Sequence, residues 1–219
     1  MSTILKFEDG KSYTKEEFDK ISNVYAEELK KAGYDRTCRI GIYSDWNNIF
    51  KIFGAMQVCS PVIVDKDSKT FELDFYDIDI WSDSIPAPRF NQCKDDEVAG
   101  ICSSGSTDKP RIVPITKQQY DIDGLDNNIQ LHANLTEKDS TVNFIPYWVC
   151  IGFQTFCACY KYGATYHVLK DPWKHWPKVR PTFVIGSPNV LRGMMDPSIP
   201  YDNMSLRHIR TVGAPMYKD

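Results

Sequence analysis

The stretch ICSSGSTDKPRIVPIT, residues 101–116, decides how the chain is read, because an apolar run enters a loop of hydroxyls, one glycine and a lysine and then returns to a β-branched run. Val98–Cys102 and Arg111–Ile115 both have strand composition, so the loop joins strand to strand. A loop of this kind can hold a phosphate. Gly105 permits close backbone approach, Ser103, Ser104, Ser106 and Thr107 offer hydroxyl donors, consecutive N–H groups can form an anion nest, and Lys109 and Arg111 add positive charge. It is not a Walker loop, which needs G-x-x-x-x-G-K-[ST] opening a helix. Taken alone, a Ser/Gly/Thr surface turn and a nucleotide loop are equally good readings.

Working outward, the chain alternates helical and strand patterns. Thr14, with Glu17 three residues on, has the form of a capping box. Phe18, Ile21, Tyr25 and Leu29 then recur at helical spacing until Gly33. Cys38–Tyr43 is expected as a strand and Trp46–Val58 as a helix with Ile49, Phe50, Phe53 and Met56 inward. Val62–Asp65 follows as a strand, and Asp77–Trp81 as a further short one. Helices between strands argue for parallel pairing. Residues 86–96, opening with Pro86, Ala87 and Pro88, read as a linker between an N-terminal α/β lobe (1–85) and a loop-bearing α/β lobe (97–219). In the second lobe a helix is expected from Thr116 to Leu131, a strand over Val142–Ile145, a helix over Trp148–Tyr160 and a strand over Thr165–Leu169. Thr182–Ile185, a helix from Pro188 to Met195 and Leu206–Val212 complete the series. The fold class is therefore α/β, two βα lobes with mostly parallel sheets.

Composition bounds the function. With 219 residues, 42% hydrophobic content and a net charge of −3, the chain is globular in character and has no basic run to track nucleic acid. No apolar signal core opens it and no ~18-residue apolar stretch crosses it, so a cytoplasmic protein without membrane segments is expected. Seven cysteines, at 38, 59, 93, 102, 150, 157 and 159, sit mostly in apolar segments and read as reduced core thiols. Cys157 and Cys159 lack a second pair or histidine partner for zinc, and His132, His167, His175 and His208 are scattered, so no resident metal site is expected. His167 lies in an apolar strand and reads as a core or pocket residue. Trp173 and Trp176, at i and i+3, read as one face of a helix packed on the sheet.

The loop, with its flanking strands, resembles the phosphate loop of the adenylate-forming superfamily, which includes acyl- and aryl-CoA synthetases, nonribosomal peptide adenylation domains and luciferases. Three further stretches keep that family's order: residues 12–65, FIPYWVCIGFQTFCACYKYGATYHVL at 144–169, and RPTFVIGSPNVLRGMMD at 180–196 followed by MSLRHIRTVGAPM at 204–216. The resemblance implies a large N-terminal domain of the adenylate-forming fold, cut short. It also implies ATP with Mg2+ and a small-molecule carboxylate as reactants. Ser103, Ser104, Ser106, Thr107 and Lys109 would hold the phosphates, Gly105 would let them approach, and Gly213, Ala214 and Pro215 would lie near the adenine or acyl end. Tyr147 and Trp148 stand where relatives line the acyl pocket, although a core aromatic stripe explains them equally well.

The chain also departs from the pattern. Asp108 replaces the second loop glycine and brings a negative charge beside the phosphates, about 4 kcal/mol for a unit pair at ~4 Å and an effective dielectric of ~20. Ile112 replaces the glycine after the second basic residue. The segments meeting adenine and ribose and the C-terminal lysine have no counterpart in the 219 residues, so the chain by itself is expected to adenylate poorly. An exposed edge at 206–212 would call for a homodimer or a complementary subunit. A non-catalytic nucleotide-binding module and an assembly protein reusing the fold are the alternatives.

Overall fold

The computed structural model describes residues 2–65, 78–94, 96–102, 111–121, 134–195 and 205–213. Two compact units are formed, one by residues 1–15 together with 125–219 and the other by residues 16–124. This division differs from the expected one at 86–96. The first reason is an N-terminal hairpin that the sequence reading did not contain, β1 (Thr3–Phe7) and β2 (Ser12–Thr14), paired antiparallel. Strand β1 buries Ile4 and Leu5 completely and belongs to the sheet of the C-terminal residues.

The unit of residues 16–124 is built on α1 (Lys15–Lys31), β3 (Arg39–Tyr43), a 3-10 turn (Trp46–Asn48), α2 (Ile49–Ala55), β4 (Ser60–Val64), β5 (Glu97–Cys102), β6 (Ile112–Thr116) and α3 (Lys117–Asp121). Helix α1 ends at Gly33, whose φ of +87° is a left-handed conformation costly for other residues. Its buried face is Phe18, Ser22, Ala26 and Leu29 rather than the expected stripe through Ile21 and Tyr25. The cause is Gly54 of α2. A Cβ there would lie 2.4 Å from the Ser22 carbonyl oxygen, so the helices touch backbone to backbone and small residues occupy the contact. Phe18 packs on Phe50 and Phe53, with ring centroids 4.8 and 5.1 Å apart. Helix α2 is shorter than the 46–58 span expected, and Met56 is only half-buried.

The sheet order is β3-β4-β5-β6, parallel except for β6, which returns antiparallel along β5. Pro114 sits in β6 on the edge of this sheet, where a missing N–H is tolerated. Of the strand expected over 77–81, only an isolated bridge from Ile80 to Gly41 is seen, and Asp77 lies outside the described residues. The described part of 86–96 is tied onto this same unit. Tyr34 Oη donates to the Pro86 carbonyl at 3.2 Å, Gln92 N to the Thr37 carbonyl at 2.8 Å, and Cys93 Sγ to the Cys38 carbonyl at 3.0 Å. At the amino ends of the strands, Arg39 forms a two-pronged pair with Glu97, Nε donating to Oε1 at 2.7 Å, and Ser60 Oγ donates to the same carboxylate at 2.8 Å. The Glu97 side chain is wholly buried, and these donors compensate its charge.

The other unit continues with β7 (Ser140–Val142), α4 (Cys150–Tyr162), β8 (Thr165–Val168), α5 (Pro172–Val179), β9 (Phe183–Gly186), α6 (Pro188–Arg192), a 3-10 turn (Gly193–Met195) and β10 (His208–Thr211). Its four-stranded sheet has the order β2-β1-β8-β7, with β8 parallel to both β1 and β7. Strands β9 and β10 form a parallel pair whose entry is fixed to β7 by Thr182 N donating to the Ser140 carbonyl at 2.8 Å. Asp171 and Ser187 cap α5 and α6 by accepting the Lys174 and Val190 amides, and a proline opens each helix. Trp176 is completely buried against Val142, Leu169, Val184 and Leu191, with Trp173 stacked on it at 5.3 Å, as a helix face packed on the sheet requires.

Cys38, Cys59, Cys157 and Cys159 are buried free thiols, as expected, whereas Cys150 is exposed at the start of α4. His167 in β8 is pushed down to about 4 by burial and by nearby Lys6, so it is neutral near pH 7. Among the described residues no helix is long and apolar enough to cross a membrane.

Candidate nucleotide-binding site

The antiparallel register fixes where the hydroxyl-rich loop starts and ends. Cys102 faces Ile112 across the β5–β6 pair, so residues 103–110 connect two strand ends held side by side. Ser103, Ser104, Gly105, Ser106, Thr107, Asp108 and Lys109 themselves lie outside the described residues. The loop leaves from the carboxyl end of β5, a strand parallel to β4 and, through it, to β3. Open α/β sheets take ligands outside the carboxyl ends of their parallel strands. At the same end lie Ser44, following β3, and Asp65, following β4, with Ser44 Oγ donating to Asp65 Oδ1 at 3.4 Å. Burial and the neighbouring Asp65 carboxylate push the Cys102 thiol up to about 12, which keeps it protonated and unreactive near pH 7. Asp65 and Ser44 were not singled out from sequence. The available signal was that each directly follows an apolar strand run, VIV and IGIY.

Ile112, one of the departures from the family pattern, has a packing explanation. A Cβ on Gly100 would lie 2.8 Å from Ile112 Cγ2 and 3.3 Å from Val62 Cγ2. The bare glycine in β5 therefore makes room for the isoleucine in β6, which packs against a core of Val62, Val64 and Ile78. The strands beneath the loop remain close-packed despite the substitution.

In the other unit, Tyr147 is fully buried and Trp148 half-buried, their rings edge-to-face at 5.3 Å, in the corner between β7 and α4. Phe153 and Phe156 are fully buried beside them in sequence. Gly152 allows this corner to close, since a Cβ there would lie 2.0 Å from the Pro146 carbonyl oxygen. Gly213, after β10, takes a φ of +90° and is exposed. Ala214 and Pro215 lie outside the described residues.

The family described as AMP-binding enzyme matches residues 47–219, a span that includes the loop, the aromatic corner and the β10 segment. The chain belongs to this family. No curated protein matches it. Among solved structures, o-succinylbenzoate coenzyme A synthetase (MenE) from Bacillus subtilis in complex with AMP aligns with 98% of this chain and 65% of its own at 15% identity and a TM-score of 0.75. VinN in complex with L-aspartate aligns with 99% of this chain and 69% of its own at 15% identity, TM-score 0.76. The inhibitor-bound N-terminal domain of FACL13 from Mycobacterium tuberculosis gives 99%, 67%, 16% and 0.78 respectively. At these identities the likeness establishes a shared fold, that of the adenylate-forming N-terminal domain. The chain spans about 65% of the length of the MenE structure.

Proposed function

We propose that this AMP-binding family member takes part in ATP-dependent activation of a small carboxylic acid. A carboxylate oxygen attacks the α-phosphorus, the bond to the β-phosphate's bridging oxygen breaks, and pyrophosphate leaves with the electron pair, giving an acyl-adenylate. The observation that supports this most directly is the family match across a hydroxyl-rich loop starting at the carboxyl end of a parallel strand. Ser103, Ser104, Ser106, Thr107 and Lys109 bind the β- and γ-phosphates, with Gly105 giving close approach. Gly213, Ala214 and Pro215 serve the adenine or acyl end, and Tyr147 and Trp148 the acyl side. MenE is described bound to AMP and to its acyl-adenylate OSB-AMP, and VinN bound to L-aspartate, so a nucleotide plus a modest acid is the reactant pair to test.

Mg2+ accompanies ATP in this reading. Among the described residues no three His, Cys, Asp or Glu side chains come together as a ligand set. The complete reaction also calls on adenine- and ribose-binding segments and a lysine that the resemblance implies. A homodimer or complementary subunit meeting β10, whose Ile209 is 50% exposed, and a cytoplasmic location belong to the same proposal. A non-catalytic nucleotide-binding module is the second reading, favoured by the carboxylate of Asp108 in the loop.

Calorimetric titration with ATP and magnesium tests the reading. Lys109→Ala is expected to weaken binding by ~1.5–3 kcal/mol, the scale of a charge-assisted hydrogen bond. Unchanged affinity in that variant refutes the phosphate role. Binding without ATP–pyrophosphate exchange, when a carboxylate panel is supplied, favours the second reading.

A further inference from the structure

Arg210 is a charged side chain whose surroundings do not account for it. Along β10 exposure alternates, with Ile209 and Thr211 outward and His208 and Arg210 half-buried. The parallel register sets Arg210 beside Ile185 and His208 beside Phe183, and both β9 partners are buried. Since alternate residues of a strand face opposite ways, Arg210 is on the side of β9 away from Val184, which packs with Trp176. There the Nη1 of Arg210 is buried, with no hydrogen-bond partner among the described residues.

A guanidinium stays charged and carries five donors, and a buried donor without a partner is a net cost to folding. Methionine would fill comparable space without that cost. The neighbouring arginine shows what pairing looks like here, because Arg207 is held by Asp139 through Nε at 2.8 Å and Nη2 at 2.7 Å. Among the described residues, Arg210 has no such carboxylate. Its strand turns three residues later at Gly213, so it stands toward the carboxyl end of a parallel pair, the end at which α/β sheets receive ligands.

We propose that Arg210 is a specificity-determining residue that receives an oxyanion from a ligand, and that this ligand is an organic acid bearing a carboxylate in addition to the one activated. The second clause rests on the adenylating function proposed above. A guanidinium fork binds a carboxylate through two parallel N–H···O bonds, which discriminates a diacid from a monoacid of the same skeleton.

The test uses the full chain and its Arg210→Met and Arg210→Lys variants. Titrations with succinate, glutarate, adipate and phthalate are compared with the matched butyrate, pentanoate, hexanoate and benzoate, with ATP titrated separately and melting followed throughout. The expected result is at least one diacid bound about tenfold or more tightly than its monoacid by the parent chain, the discrimination obtainable from one good charge-assisted pair. That preference should vanish in Arg210→Met and persist in part in Arg210→Lys, with ATP affinity equal in all three. Without ligand, Arg210→Met should melt higher than the parent.

Equal binding of every acid pair by the parent, or a diacid preference that survives in Arg210→Met, overturns the proposal. A lowered melting temperature or failure to fold in Arg210→Met overturns the claim that the guanidinium lacks a structural partner. If ATP binds and the diacid preference is absent, the Arg210 proposal fails and the adenylating reading stands. If ATP does not bind but the preference is present, the adenylating reading fails and Arg210 remains an oxyanion site.

Discussion

Asp139 is where a single charge does most to place β10, and Asp139→Asn is the sharpest probe of it. The carboxylate is only 5% exposed. Its Oδ1 accepts from Arg207 Nε and Thr182 Oγ1, both at 2.8 Å, and its Oδ2 from Thr136 N at 2.8 Å and Thr136 Oγ1 at 3.0 Å. Burial by itself would raise the acid's pKa, but the bonds from Arg207, Thr182 and Thr136 outweigh it and hold Asp139 at about 2, below its ordinary 3.8. At 1.36 kcal/mol per pH unit, that difference is worth about 2 kcal/mol of folding stability near neutral pH. Asparagine keeps the shape but loses the charge, and its NH2 must face a donor on one side, adding ~1–3 kcal/mol. Asp139→Asn should therefore cost roughly 3–5 kcal/mol at pH 7.

The pH dependence has a definite sign. Because the folded pKa lies below the unfolded one, the unfolded chain takes up the proton first as pH falls. The stabilisation is whole above about 4 and is lost as pH falls toward about 2. Urea unfolding followed by tryptophan fluorescence, with Trp173 and Trp176 reporting on the same unit, should show a lower midpoint for the variant by roughly 1 M or more at pH 7. The charge-dependent part of that gap should close as pH approaches about 2. An unchanged midpoint at neutral pH, or a gap of constant size across the acid range, would refute the reasoning.

Two further outcomes follow from contacts in the structure. Glu97→Ala leaves Arg39, itself 20% exposed, without its carboxylate partner and should destabilise the 16–124 unit by ~3–5 kcal/mol in denaturant titration, whereas a loss below ~1 kcal/mol would show that the pair contributes little. Gly152→Ala drives a methyl toward the Pro146 carbonyl oxygen, where a Cβ would sit 2.0 Å away, and should lower the melting temperature by an amount equivalent to ~1–3 kcal/mol or more, an unchanged melting temperature arguing against the close approach.

The parts of the fold that were legible in the sequence were those set by short-range pattern. The β5–β6 hairpin follows from two β-branched runs about a hydroxyl-rich loop, and the end of α1 follows from Gly33. What was not legible depended on residues far apart. Strand β1 is only TILKF, with a lysine inside it, and its parallel partner β8 lies more than 150 residues along the chain, at Leu5↔Tyr166. Once that pairing exists, the N-terminal residues belong with the C-terminal unit, and a boundary drawn at the Pro-rich 86–96 stretch cannot follow the contacts. The stripe of α1 was misread because periodicity alone favours Ile21 and Tyr25. The approach of Gly54 selects Ser22 and Ala26 instead, and nothing within α1 announces that approach.

The candidate site divides in the same way. The loop chemistry at 103–109 is visible in the residue types, while the pairing state of an arginine is not. Arg207 immediately precedes β10 and Arg210 lies within it, three residues on. Sequence treats them alike, as basic residues in SLRHIRTVG. In the structure Asp139 reaches one of them from the head of β7, with Thr182 and Thr136 sharing the same carboxylate, and the arrangement fixes β10 against β7 and β9. With β10 held by Arg207, the strand's position does not require a second guanidinium, and packing against Ile185 would be served by an apolar side chain. A half-buried guanidinium with a buried Nη1 that the strand can do without is what the proposed oxyanion role requires, and for that reason Arg210→Met should increase stability and abolish discrimination at the same time.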